Sequence, residues 1–271
     1  MKISRPIFPR EHGAWAVLFI PMIIGIAAAE QFNLMVVFLA LSVLAVFLSY
    51  VPVQAIIRRY LGSAWAEDEL QSAWFWAIAY LLAGALFILP VLATCLWLLL
   101  PIGIVGSLCF LGNFLLTLRH PKTIASDLAA VAGLTLSAPS AYYVATGTLS
   151  PPAVSLWVLN FLFFGSGVFY VHMKIRARGL KKPRFSWMEK LTLGRLNLIY
   201  HVIVVTIVVV MTLRHFTTQL ALIAFIPMIL HAVIGTAKLS SDVRFKNLGF
   251  LLLAQSAVFA MLLSALFLSQ P

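Results

Sequence analysis

Apolar runs of about twenty residues, repeated along the whole chain, decide what this sequence can fold into. Nine can be counted, at residues 12–29, 33–57, 72–92, 95–118, 127–146, 152–172, 196–213, 219–236 and 248–268. A run of that length crosses the roughly 30 Å hydrocarbon core of a bilayer as a helix. Lipid offers no partner to a bare backbone, so helices and closed barrels are the spanning solutions. The division of residues 70–118 into two runs rests on Pro90, Pro101 and total length. Charged residues make up 10% of the chain and its mean hydropathy is +1.03, against roughly 25% charged in a soluble domain. The expectation is an all-α polytopic membrane protein, one transmembrane domain over residues 1–271 with about nine helices. No linker, low-complexity tract or soluble domain interrupts it. No cleavage-type site follows the first run, which therefore reads as a retained span.

The charges order these runs. The chain carries 19 Lys and Arg against 8 Asp and Glu, a net charge of +11. Every Lys and Arg except Arg214 lies in the N-terminal tail or in the gaps after the second, fourth, sixth and eighth runs. Such alternation is the positive-inside pattern. It places the N-terminus inside and the C-terminus outside a bacterial cytoplasmic membrane. Topology thus accounts for the basic charge, and the expected partner is the lipid bilayer rather than nucleic acid. Cys95 and Cys109 share one run and would stand about 21 Å apart on a helix, beyond disulfide reach. Between the sixth and seventh runs, Ser186–Leu191 reads as a short interfacial helix with Trp187 at headgroup depth.

Ionisable groups inside a membrane tend to face a cavity or a partner. Near the basic ends of the runs stand Glu11, His12, Asp127, Tyr170, His172, Tyr200 and His201. Glu11, His12, Asp127, Tyr170 and His172 are the candidates for acid–base work or orientation. Arg58, Arg59, Arg119, Lys122, Arg176 and Arg178 are candidates to hold an anion, with Tyr50 and Asn113 beside them. Arg119 and Lys122 precede the fifth run, where Thr123 or Ser126 can cap a helix and an anion can meet the helix N-terminus. Asp127 is expected to pair with one of these two cations or with Arg58 or Arg59. Tyr50-Val51 with Arg58 and Tyr170-Val171 with Arg178 repeat one spacing, and both stretches close apolar runs on the same side. Deeper in the runs, Asn113, Asn160 and Gln255 read as interhelical glue and His231 as a packed, hydrogen-bonded residue. Glu67-Asp68-Glu69 reads as a solvated loop, because adjacent side chains on a helix do not face one point. No zinc spacing, phosphate-binding glycine loop or serine nucleophile elbow is present. No cofactor is expected, and Mg²⁺ has no support in the motifs.

Pro9-Arg10-Glu11-His12-Gly13-Ala14-Trp15-Ala16-Val17 resembles the opening signature of the YwiC-like bacterial membrane proteins. More distantly, the plan resembles the UbiA superfamily of intramembrane prenyltransferases. That resemblance implies nine helices, a central cavity open toward the cytoplasmic side, and a site built on the loops after helices two and six. In that superfamily both loops carry Asp-rich motifs that hold Mg²⁺ on a prenyl diphosphate, and a basic segment before helix five binds the same diphosphate. Arg119-His120-Pro121-Lys122-Thr123 is similar to the basic segment. The corresponding loops here read Ser49-Tyr50-Val51-Pro52-Val53-Gln54 and Tyr170-Val171-His172-Met173-Lys174, with no Asp in either. Cations follow instead, at Arg58, Arg59, Arg176 and Arg178.

Three functions fit these residues. The first is a protein that binds, or transfers as a prenyltransferase-like enzyme, an isoprenoid or anionic lipid whose phosphate or diphosphate head is met by Arg and Lys. The second is a permease for a small anionic or amphipathic solute. The third is a membrane scaffold whose basic loops touch anionic headgroups. Crowding of polar groups at one membrane face favours the first over the second.

Overall fold

Pro139 breaks the fifth apolar run in two. It has no N–H for the carbonyl four residues back, and its ring crowds that turn. In the computed structural model α5 accordingly spans Ile124–Thr135 and α6 spans Ser137–Thr146, with Leu136 between them. Hydroxyls on both sides of the break bond back to the helix: Thr135 Oγ1 donates to the Val131 carbonyl at 2.8 Å, and Ser140 Oγ to the Leu136 carbonyl at 2.8 Å, which also accepts the Ser140 N–H at 3.1 Å. Gly147, at φ +74°, closes α6 by donating its N–H to Tyr143. Left-handed backbone there suits glycine, which has no Cβ to clash.

The structure describes residues 6, 8, 12–61, 67–119, 123–182, 184–217 and 221–268. The remaining helices are α1 (His12–Ala29), α2 (Leu34–Tyr60), α3 (Glu67–Ala93), α4 (Leu99–Arg119), α7 (Pro151–Gly179), α8 (Trp187–Leu213), α9 (Ala221–Ala237) and α10 (Phe245–Leu268). Among the described residues, seven membrane-length segments, α5 and α6 together counting as one, are long and apolar enough to cross a bilayer, and α1 and α9 are shorter apolar helices. The chain is thus a multi-pass, all-α protein of membrane type. Three sequence readings change in detail. Glu67–Glu69 opens α3 rather than forming a loop, and Cys95 stands exposed in the turn before α4 with φ +63°. Ser186–Leu191 is not a separate interfacial helix. Ser186 caps α8 through a reciprocal bond pair with Glu189, and Trp187 begins that long helix.

In lipid the hydrophobic effect cannot drive helices together, so close packing and polar seams must. α1 lies against α5, α6, α7 and α10. Gly25 lets α1 press directly on the Ala138 carbonyl of α6, and Ser137 Oγ donates to the Leu18 carbonyl at 2.8 Å. α2 and α3 form a hairpin on one side of α6, α4 lines α5, and α7 through α10 continue the bundle until α10 returns to α1. A core of Ile24, Leu156, Leu159, Phe163, Val204, Val208, Phe225 and Phe259 fills the half of the bundle away from the basic loops. Phe163 stacks on Phe259 at 3.9 Å between centroids. The outer faces of α3 and α4 stay apolar and exposed, as at Leu82, Leu86, Ile104 and Leu108. Such a surface is stable only against lipid.

Candidate functional site

At one end of the bundle a cavity of about 770 Å³ lies among five helices, α1, α5 and α10 beginning there and α7 and α9 finishing there. Its wall takes Gly13 and Val17 from α1, Asp127 and Leu134 from α5, and Ser166, Gly167 and Tyr170 from α7. His231 comes from α9, and Lys246, Gly249 and Gln255 from α10. The wall on α10 runs from Phe245 to Ser256, roughly 16 Å of helix rise. That is about half of the hydrocarbon core. Its floor is Phe163 with Phe164, on the stacked aromatic core. Apolar side chains make up most of the lining. The glycines at 13, 167 and 249 each leave open space where a Cβ would stand, so three helices contribute room rather than side chains.

The rim is polar. Thr123 caps α5 through a reciprocal bond pair with Ser126, which fixes the first turn and Asp127 within it. The His172 Nε2–H donates to Asp127 Oδ2 at 2.8 Å, tying α7 to α5. Among the described residues the partner of Asp127 is thus His172, while the Arg119 side chain and Lys122 lie outside the described residues. Tyr170 is buried against Gly235 of α9, which lacks the Cβ that would strike its ring. Lys174 lies over the Tyr170 ring at 5.3 Å and donates to the Gly235 carbonyl at 3.3 Å. Arg178 sits 5.2 Å above the ring of Phe245, within cation–π range, and Phe245 borders the cavity. Lys246 lines the cavity itself.

Deeper, the polar groups are neutral hydrogen-bonders. His231 shares a 2.9 Å hydrogen bond with Gln255 Oε1 through Nδ1. Since an amide oxygen only accepts, Nδ1 carries the proton. Ser166 Oγ and His201 Nε2 lie 2.8 Å apart, and His201 Nδ1 is 2.7 Å from the Asn197 carbonyl. Gly165 makes that meeting possible: the Tyr200 hydroxyl occupies the space its Cβ would take, so α8 closes on α7. Tyr200 also donates to the Leu162 carbonyl at 3.0 Å.

Not every candidate reaches this place. Arg58 and Arg59 are exposed at the end of α2 and are not among the cavity-lining residues. Tyr50 donates to Asn113 Oδ1, and Asn113 Nδ2 donates to the Ser126 carbonyl at 2.8 Å, so this pair ties α2 and α4 to the start of α5. Arg176 is exposed, beside a small crevice that it shares with His172 and Asn197. Glu11 and Lys122 fall outside the described residues, as do the side chains of His12 and Arg119. Among the described residues, no three His, Cys, Asp or Glu side chains gather as a metal site would need. The sequence reading had no signal for Ser166, whose partner is on the next helix, and it took Lys246 as topological charge.

No curated protein and no solved structure matches this chain. A family model does: the one described as YwiC-like protein matches residues 8–142, which take in α1 to α5 and most of α6. Two of the five cavity walls, α1 and α5, lie in that stretch, and α7, α9 and α10 lie beyond it. The likeness seen in Pro9–Val17 therefore extends through residue 142, and over this stretch the chain is similar to the YwiC-like proteins.

Proposed function

We propose that the chain holds an amphiphile in this cavity, with its apolar tail between α1, α5, α7, α9 and α10 and an anionic phosphate or diphosphate head at the rim. The observation that carries the reading is the make-up of the cavity. Apolar walls lead to a rim where the first turns of α1, α5 and α10 meet. Each helix start presents the positive end of a dipole, a setting that favours anions. Lys246 and Arg178 add full charges at the same place. Asp127 is the one carboxylate among the described lining residues, and His172 already engages it. Direct Arg and Lys contacts to the head suit this arrangement better than an Asp-bound Mg²⁺. Catalysis of a prenyltransferase-like transfer would use the same cavity, with Tyr170 and His172 nearest the head.

Lipid retention tests the reading. Protein purified in mild detergent should carry a phosphate-headed lipid detectable by mass spectrometry at near-stoichiometric yield. Gly167→Leu projects a side chain into open space, so it should leave folding intact while cutting the retained lipid at least tenfold. Equal lipid in wild type and Gly167→Leu would sink the proposal.

Within this proposal the bundle has nine spans in a UbiA-like plan, in a bacterial inner membrane, with the cavity facing the cytoplasm. Cys95, exposed in the α3–α4 turn, then faces outward. A membrane-impermeant maleimide added to intact cells or spheroplasts should label Cys95 and leave Cys109, part-buried within α4, unlabelled. Labelling of Cys95 only after lysis would reverse the orientation.

A further inference from the structure

We propose that Ser166 is a nucleophile, activated by His201, toward the ester carbonyl of an amphiphile seated in the cavity. This rests on the occupancy just proposed and narrows the ligand to an ester-bearing lipid.

The arrangement has the three parts an activated serine needs. His201 Nδ1 faces the Asn197 carbonyl at 2.7 Å. A carbonyl oxygen has no proton to give, so Nδ1 carries the hydrogen and Nε2 presents its lone pair. That lone pair points at Ser166 Oγ, 2.8 Å away, and accepts the hydroxyl proton. The backbone carbonyl thus holds the ring in the tautomer and orientation that a base requires, the part a carboxylate plays in other triads. His201 is 3% exposed and thus screened from water. Ser166, itself 4% exposed, is among the residues of the cavity wall. It stands five residues before Val171 at the rim, about 7 Å along α7. Arg178, over Phe245, stands twelve residues beyond Ser166, about 18 Å along α7, so the ester that Ser166 meets lies along the tail of the amphiphile and not beside its head.

The step balances as acyl transfer. Ser166 Oγ bonds to the acyl carbon while its proton passes to His201 Nε2. The ester C–O bond breaks, and the leaving alkoxide takes that proton. Water, the co-reactant, then attacks the acyl-serine and gives a proton to His201, which returns it to Ser166 Oγ. Ester and water become acid and alcohol.

An alkyl fluorophosphonate tests this with a readout that a structural hydrogen bond cannot supply. Ser166 attack on phosphorus expels fluoride and leaves a mass adduct on the α7 peptide. Wild-type protein in detergent or nanodiscs should carry the adduct on Ser166, and p-nitrophenyl decanoate should be cleaved by the same preparation. Ser166→Ala should show neither. His201→Gln should be labelled roughly 100-fold more slowly, the scale of a lost general base. Should His201→Gln fail to fold, Gly167→Leu gives a second arm, blocking the approach beside Ser166 without touching the dyad, and its labelling should fall likewise. A monodisperse wild-type protein that retains lipid but stays unlabelled at Ser166 overturns the nucleophile and leaves the amphiphile reading standing. Labelling without any retained phosphate-headed lipid supports the nucleophile and sinks the anionic-head reading instead.

Discussion

Gly25→Ala should destabilise the protein by about 3 kcal/mol or more, although it adds a single methyl group. Overpacking costs typically 1–3 kcal/mol where neighbouring side chains can shift. Here the obstacle is backbone, the carbonyl of Ala138, with its carbon 3.0 Å from the added Cβ. Relief requires that α1 and α6 part, which also breaks the Ser137 bond to the Leu18 carbonyl. The control is Gly103→Ala on α4, where nothing stands within 4 Å of the new Cβ. Exchanging Gly for Ala in an exposed helix gains roughly 0.5–1 kcal/mol. Thermal unfolding in one detergent should therefore move in opposite directions for the two variants. A Gly25→Ala melting point at or above wild type would show that the α1–α6 contact is looser than described here.

Lys246→Gln combined with Arg178→Gln should weaken capture of a phosphate-headed lipid by at least about a hundredfold. Hydrogen bonds to charged groups contribute about 1.5–3 kcal/mol each, and a factor of ten corresponds to about 1.4 kcal/mol. Both residues stand at the start of α10 or over it, and neither is buried, so the double variant should fold normally. Titration of delipidated protein with a short-chain phosphatidic acid, followed by intrinsic Trp fluorescence, gives the affinity. Arg58→Gln with Arg59→Gln serves as the counterpart, since these cations are exposed off the cavity wall, and should change affinity less than threefold. If the two pairs weaken binding equally, the effect is general surface charge and the rim has no special role.

The sequence made the membrane architecture legible because lipid imposes long apolar runs and cations mark one face. Pro139 was visible too, yet it lies inside a run whose hydropathy does not falter, so the break between α5 and α6 passed unread. The site was legible only in part. Asp127, Tyr170 and His172 stood out as ionisable groups near helix ends, and all three meet at the cavity or its rim. Arg58 and Arg59 were grouped with them by a shared spacing, but a spacing along the chain carries no information on which helices become neighbours. Tyr50 and Asn113 illustrate the same point, since they join helices beside the cavity without lining it. His201 stands out as an ionisable group near a helix end, but its pairing with Ser166 is hidden for a related reason. They are on α7 and α8, 35 residues apart, and serine is common in apolar helices, where it usually bonds its own backbone. What brings them together is Gly165, a residue that reads as unremarkable until the Tyr200 hydroxyl is seen in the space beside it.

α1 precedes all of its partners, α5, α6, α7 and α10, which emerge later from the ribosome. During synthesis the first span must wait in the bilayer, its face toward α10 covered by lipid until the last helix arrives. The α2–α3 hairpin can pair at once, since its two helices are consecutive. The cavity cannot, because its wall of residues from Phe245 to Ser256 belongs to the final segment. Until then the space that becomes the cavity is open sideways to the membrane. The cavity is closed off only when α10 docks on α1.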